Sequence, residues 1–255
     1  MIKILFMFSD FFLIFIVHLN AHSSLERETE TRFITKQISD RVDSSKERLI
    51  IQGDMNSLSM LDEPIHNQEG LLEFFRRGKG IKFDNMRRKF LTSDKKSINY
   101  DPILNLLLDG KLFDLCWVGC VLSSMEEKKI SRHVFFDEGT KDEMWNFLRL
   151  GTSISTLSST LFLPSLDCMK QRCPFSEPTE RSPDWSELPE GSILPPIRLD
   201  FMFGNRKVVI GMLDDHWSKN GVLTQRNEQT ATLSDHFPSI LAYYHPFNWI
   251  KSFTF

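Results

Sequence analysis

The chain has 255 residues, 41% of them hydrophobic and 25% charged, enough to bury a core as one large α/β domain or two small ones. Its 31 basic and 34 acidic side chains leave a formal net charge of −3, which excludes a broad basic face for non-specific nucleic-acid binding; any phosphate site has to be local. The composition also excludes a disordered chain.

The first segment, MIKILFMFSDFFLIFIVHLNA (residues 1–21), supports two readings. Lys3, an apolar run and Ala21 give the outline of a secretory signal, interrupted by Asp10. Alternatively Phe11–Val17 is a strand that ends at His18, with HLNAH following. That run is too short to span a bilayer as a helix, so no stable membrane span is expected. The protein is expected to be secreted if residues 1–21 act as a signal, and cytoplasmic otherwise.

Leu25–Val42 carries Phe33, Ile34, Ile38 and Val42 at helical spacings in a charged background, and predicts an amphipathic surface helix. LIIQGDMNS (residues 49–57) then predicts a buried strand, Leu49–Gln52, that ends by presenting Asp54 and Asn56. Residues 62–100 are polar and rich in Lys and Arg, and read as a solvated loop or helix face rimming a site. At Asp101-Pro102 a helix starts, with Asp as N-cap and Pro at the first helical position, and Asp109-Gly110 stops it. LFDLCWV (residues 112–118) reads as a buried strand. The prolines of residues 164–196 predict a long loop.

In the strand IRLDFMF, Ile197–Phe203, the period of two puts Arg198 and Asp200 on one face. Either they pair with each other or they serve a site, because neither is cheap to bury alone. TLSDHFPSILAYY (residues 232–244) places Asp235 and His236 where a loop meets a further strand. The spacings of Cys116, Cys120, Cys168 and Cys173 match no tight zinc pattern and read as core thiols, with a disulfide open if the chain is secreted. Asp214-Asp215-His216 reads as a surface loop, and His22, His66, His133 and His245 have no spacing that demands a function.

GDMN at 53–56, RLDFMF at 198–203 and SDHFP at 234–238 occur in that order, each joined to a strand, with IVHLNAH before the first. Together they resemble the endonuclease/exonuclease/phosphatase superfamily, the fold of deoxyribonuclease I and neutral sphingomyelinase. KFLTSDKKSINYDPILNLLLDGKLFDL looks like the segment of family members between two of these motifs. The resemblance implies a deoxyribonuclease I-like α/β fold, a two-sheet β-sandwich flanked by helices in four layers. It covers a domain at 11–244, with 1–10 a leader or remnant and 245–255 a tail. The family's N-terminal half, with the Asn and Glu that hold the metal, has no counterpart before His18, and Val17 replaces the family's Thr. A truncated domain with exposed inner-sheet surface and a reduced rate is therefore expected.

The chemistry that the resemblance implies is metal-dependent phosphoester hydrolysis. His236 would take a proton from the attacking water, and Asp200 would fix its tautomer. Asp235 would sit beside the metal, Mg²⁺ or alternatively Mn²⁺, a hard ion suited to these oxygen donors. Asp54 and Asn56 would contact the nucleophile, phosphate or leaving group, and His18 would donate to phosphate. The partner is then a phosphoester substrate: a nucleic acid, a phospholipid or a small phosphoester. No sequence feature marks a protein partner. The runner-up is a catalytically inactive relative that binds a phosphorylated ligand.

Overall fold

A computed structural model describes residues 5–8, 13–43, 46–109, 111–151, 162–166, 169, 197–213, 221–224, 239–245 and 248–253. The chain is a mixed α/β protein. Strand β1 (Leu5–Phe8) runs antiparallel to β2 (Leu13–His18), which is parallel to β3 (Leu49–Asp54). Helix α1 (Ser24–Arg41) makes the crossover, started by Ser23, whose side chain accepts from the Glu26 amide. The two-residue strand β4 (Phe113–Asp114) and β5 (Asp200–Gly204) complete a five-stranded sheet in the order β1-β2-β3-β5-β4, with β5 antiparallel to both neighbours. Strand β1 lies within the stretch 1–10 that the sequence set apart.

Alternation along the strands sends apolar side chains to both faces, and helices cover both. On one face Phe15, Val17, Ile51, Phe201 and Phe203 pack with Ile34 of α1 and with Ile103, Leu104 and Leu107 of α5 (Pro102–Asp109). On the other, Ile50 and Met202 pack with α6 (Leu115–Glu127), α7 (Lys141–Leu150) and α8 (Arg206–Leu213). The expected exposure of inner-sheet surface is not found at Ile50 and Met202, which are 2% and 1% exposed, because α6–α8 pack over them.

The run 112–118 departs from expectation. Only Phe113–Asp114 is strand, and Leu115 starts α6, because the Asp114 carboxylate accepts from the amides of Cys116 and Trp117 and caps a helix. Cys116 and Cys120, one turn apart on α6, are buried; Cys168 and Cys173 lie outside the described residues.

Of the two readings of residues 62–100, loop or helix face, the structure has the helical one. The segment forms α2 (Glu63–Gln68), α3 (Leu71–Arg77) and α4 (Ile81–Phe90) around a small core of its own. There Leu58, Leu71, Phe75, Phe90 and Leu91 pack with Ile197 and Leu199, so this lobe sits against the turn after β3 and the entry to β5. The sparse apolar residues of the segment supply that core while most of its charges, Asp62 excepted, face outward.

Strands β6 (Gly221–Thr224), β7 (Ser239–His245) and β8 (Asn248–Phe253) form a separate antiparallel sheet, with β6 against α6 and β7 against α8. Strand β8 falls in the stretch 245–255 set apart as a tail. Among the described residues, no helix is long and apolar enough to cross a membrane. The proline-rich loop, apart from its first residues and Met169, and the Asp214-Asp215-His216 cluster lie outside the described residues.

Candidate functional site

The sequence GDMN is explained residue by residue. Gly53 has φ +140°, and a Cβ there would lie 1.9 Å from the Val17 carbonyl oxygen, so only glycine lets β3 approach β2. The Asp54 carboxylate accepts from the Asn56 amide at 2.7 Å, an Asx turn that ends the strand. Asn56 takes φ +51°, a left-handed conformation that Asn tolerates better than most residues.

Its side chain is 4% exposed and holds two elements together. The Nδ2 group donates to the Leu19 carbonyl at 3.0 Å, while Oδ1 accepts from Lys89 Nζ of α4 at 2.6 Å. Leu19 in turn donates its amide to the Asp54 carbonyl at 2.9 Å. The HLNAH turn and the GDMN turn are thus locked to one another.

Three of the residues singled out in the sequence share one row across the sheet. His18 is the register partner of Asp54, and Asp54 is the register partner of Asp200. His18 Nε2 lies 3.6 Å from Asp54 Oδ2, with the His18 side chain 64% exposed and that of Asp54 16%. Directly opposed residues of adjacent antiparallel strands hold their Cβ atoms about 5 Å apart on one face, so two carboxylates stand beside each other with an exposed imidazole next to them. Such a pair offers oxygen donors to a bound cation.

Two buried arginine clamps flank this row. Arg27 of α1 pairs with Asp101 at 2.7 Å and donates to the Asn20 carbonyl at 3.1 Å; Ser57 also reaches Asp101, at 3.4 Å. Asp101 further accepts from the Ile103 amide and caps α5, the N-cap role expected of it. Arg198 is wholly buried and forks onto both Asp62 (2.9 Å) and Asp114 (2.7 Å), with its guanidinium 4.3 Å from the Phe201 ring centre. One residue further on, the Leu199 carbonyl accepts from the Met55 amide at 2.8 Å and ties β5's entry to the GDMN turn.

Against the Arg198 clamp packs His66, stacked on Tyr100 with Nδ1 3.2 Å from the tyrosine hydroxyl. Burial, and then the positive charge of Arg198, pushes its pKa down to about 3, so its ring is neutral. The Tyr100 hydroxyl is shifted upward, by burial first and by Glu63 and Asp62 after it.

Lys89 is the site neighbour that the sequence did not single out. It lay inside the basic segment 74–96, and the only signal was the charge of that run. The pairing of Arg27 with Asp101 and of Arg198 with Asp62 and Asp114 was equally hidden, since the sequence read Asp101 only as a helix cap and Asp114 as part of a strand. Asp235 and His236 lie outside the described residues. Among the described residues no three His, Cys, Asp or Glu side chains are grouped to hold a metal ion. Asp54 and Asp200 supply hard oxygen donors of the type Mg²⁺ takes, and a third would have to come from elsewhere.

No protein-family model, no curated protein and no solved structure matches the chain.

Proposed function

We propose that the chain is a metal-dependent phosphoester hydrolase of the endonuclease/exonuclease/phosphatase type. The observation that supports this most is the His18, Asp54, Asp200 row beside a GDMN turn whose Asn56 is met by a lysine. Three sequence motifs far apart in the chain contribute to that one spot.

In this reading Asp235 would sit beside the metal, Mg²⁺ or Mn²⁺, with Asp54 as a further oxygen donor, and the ion would supply charge neutralisation at the phosphate. The chain's own groups divide the remaining work. His18, exposed and beside Asp54, donates to a phosphoryl oxygen, while Asp54 keeps its ring turned toward the site. Lys89 adds a positive charge close to Asn56, where an anionic oxygen is stabilised as it builds up negative charge. His236 takes the proton from water, and Asp200 orients it.

The second reading, a phosphate-binding relative without turnover, is favoured by one observation. The Asn56 amide already donates to the Leu19 carbonyl and is committed to holding a turn rather than to an oxyanion.

Hydrolysis of an aryl phosphodiester by purified protein, with and without Mg²⁺, beside Asp54→Asn and His236→Ala, decides between the two. Turnover that requires the metal and both side chains supports the hydrolase. Folded protein no more active than either variant removes it and leaves the binding module.

A further inference from the structure

The other end of the sheet carries an opening that the phosphoesterase reading does not use. Leu49, the first residue of β3, and Phe113 of β4 help floor a cavity of about 1100 Å³, walled by the C-terminal half of α1 and by α7. At about 3.3 Å per residue, Leu49 and Asp54 are roughly 17 Å apart, so the two places are separate.

On a chain with net charge −3, five basic side chains reach this cavity against two acidic ones, Asp40 and Asp142. Arg32 is neutralised by Glu28 at 2.8 Å. The other four come from four different parts of the chain: Lys36 from α1, Lys111 from the turn after α5, Arg149 from α7 and Arg206 from the start of α8. Convergence of this kind is not the solvated face of one helix.

Several of these cations are also held in place. The Arg206 guanidinium lies 4.3 Å from the Trp145 ring centre, and Arg149 donates to Asn146 Oδ1 at 3.0 Å. Lys111 has a left-handed backbone, φ +65°. The Lys36 and Lys111 side chains are exposed and have no hydrogen-bond or ion-pair partner among the described residues. The four cations outnumber Asp40 and Asp142 two to one, and an anion relieves the repulsion left over.

We propose that this cavity binds a compact, multiply phosphorylated anion. Four cations around a concave site match several phosphate charges on one small body, and the arginines offer bidentate forks to phosphate oxygens. A long nucleic acid needs an extended basic face, which the chain's charge does not provide. The same chemistry is presented by a soluble polyphosphate and by a phosphorylated lipid headgroup.

The test is calorimetric titration of the full chain with inorganic tripolyphosphate at low ionic strength. The double variant Lys36→Gln/Lys111→Gln, changed only at exposed positions, is expected to lose about tenfold or more in affinity, the equivalent of 1.4 kcal/mol. His18→Ala/Asp54→Asn, altered at the opposite end, is expected to bind as the parent does. Vesicles carrying a phosphoinositide, set against phosphatidylcholine alone, separate the sources: sedimentation with the former that the lysine variant abolishes assigns a headgroup, and tripolyphosphate binding without it assigns a soluble anion.

Unchanged affinity in the lysine variant overturns the proposal. So does loss of binding in the His18/Asp54 variant alone, which would put the anion at the other end. An oligonucleotide that binds more tightly than tripolyphosphate through the same lysines overturns it in favour of nucleic acid. Loss of phosphodiester hydrolysis is read in a separate assay, so the two readings fail independently.

Discussion

The two ends of β3 use positive charge in opposite ways. Near Asp54, Arg27 and Arg198 are buried, 2% and 0% exposed, and each is matched to carboxylates within 3 Å. Near Leu49, Lys36 and Lys111 are exposed and unmatched among the described residues. A cation paired in the interior is fixed by the fold and holds other elements in place. A cation left open over a cavity is available to something from outside.

The largest effect should come from breaking a clamp. Arg198→Ala strands Asp62 and Asp114 as uncompensated buried charges, and should cost about 3–5 kcal/mol of stability. Arg198→Lys should not restore it, because an ammonium cannot fork onto two carboxylates. Lys36→Gln/Lys111→Gln should stay within about 0.5 kcal/mol of the parent. Urea unfolding of the three proteins measures the contrast, and equal losses would erase the distinction between the two ends.

Next comes the backbone contact that brings β3 against β2. Gly53→Ala drives a Cβ into the Val17 carbonyl from a φ of +140°, and about 2–4 kcal/mol should be lost. The same change at Gly70, φ +66° with nothing within 4 Å, meets no atoms and should cost only the backbone strain of about 1 kcal/mol. Melting curves that rank the two the other way would show that the close approach at the GDMN turn is not the constraint.

His66 sharpens the comparison through pH. Its pKa falls from an ordinary value near 6.5 to about 3 in the folded chain. Between those values the unfolded chain binds a proton that the folded chain refuses, so stability falls as pH falls, by about 1.4 kcal/mol per unit. At pH 5 the loss should be about 2 kcal/mol relative to neutral pH. His66→Gln, which cannot be protonated, should flatten the urea midpoint across that window, and an unchanged slope would place the titrating group elsewhere.

Much of the scaffold was legible in the sequence, and the reasons differ by element. The helix at 25–42 and the strand at 49–52 carry period and length signals strong enough to survive their surroundings, and both were found. Asp101-Pro102 carried a local capping code that the fold then used. LFDLCWV misled because apolar content marks a strand and a buried helix alike, and Asp114 as N-cap was the competing signal. The row of His18, Asp54 and Asp200 was legible only as three motifs; their register follows from strand pairings far apart in the chain, Asp54 with Asp200 among them, which no local pattern states. The clamps were hidden for the same reason, since Arg198 meets Asp62 across 136 positions.

The effect on stability should also be small at Lys89, and it tests the site most directly. Its ammonium meets Asn56 Oδ1 at 2.6 Å and lies 4.8 Å from the Phe90 ring centre, at a half-buried position. Lys89→Gln keeps a donor for that oxygen but removes the charge, so the GDMN turn should persist and stability should change by less than about 1 kcal/mol. If phosphate approaches Asn56, the lost charge should raise KM for a phosphodiester severalfold, and the rise should shrink in high salt, which screens an exposed cation. A change in stability without a change in KM would make Lys89 a strut for the turn, as Arg27 and Arg198 are struts for the strands, and the open cavity near Leu49 would then hold the only cations set aside for a ligand among the described residues.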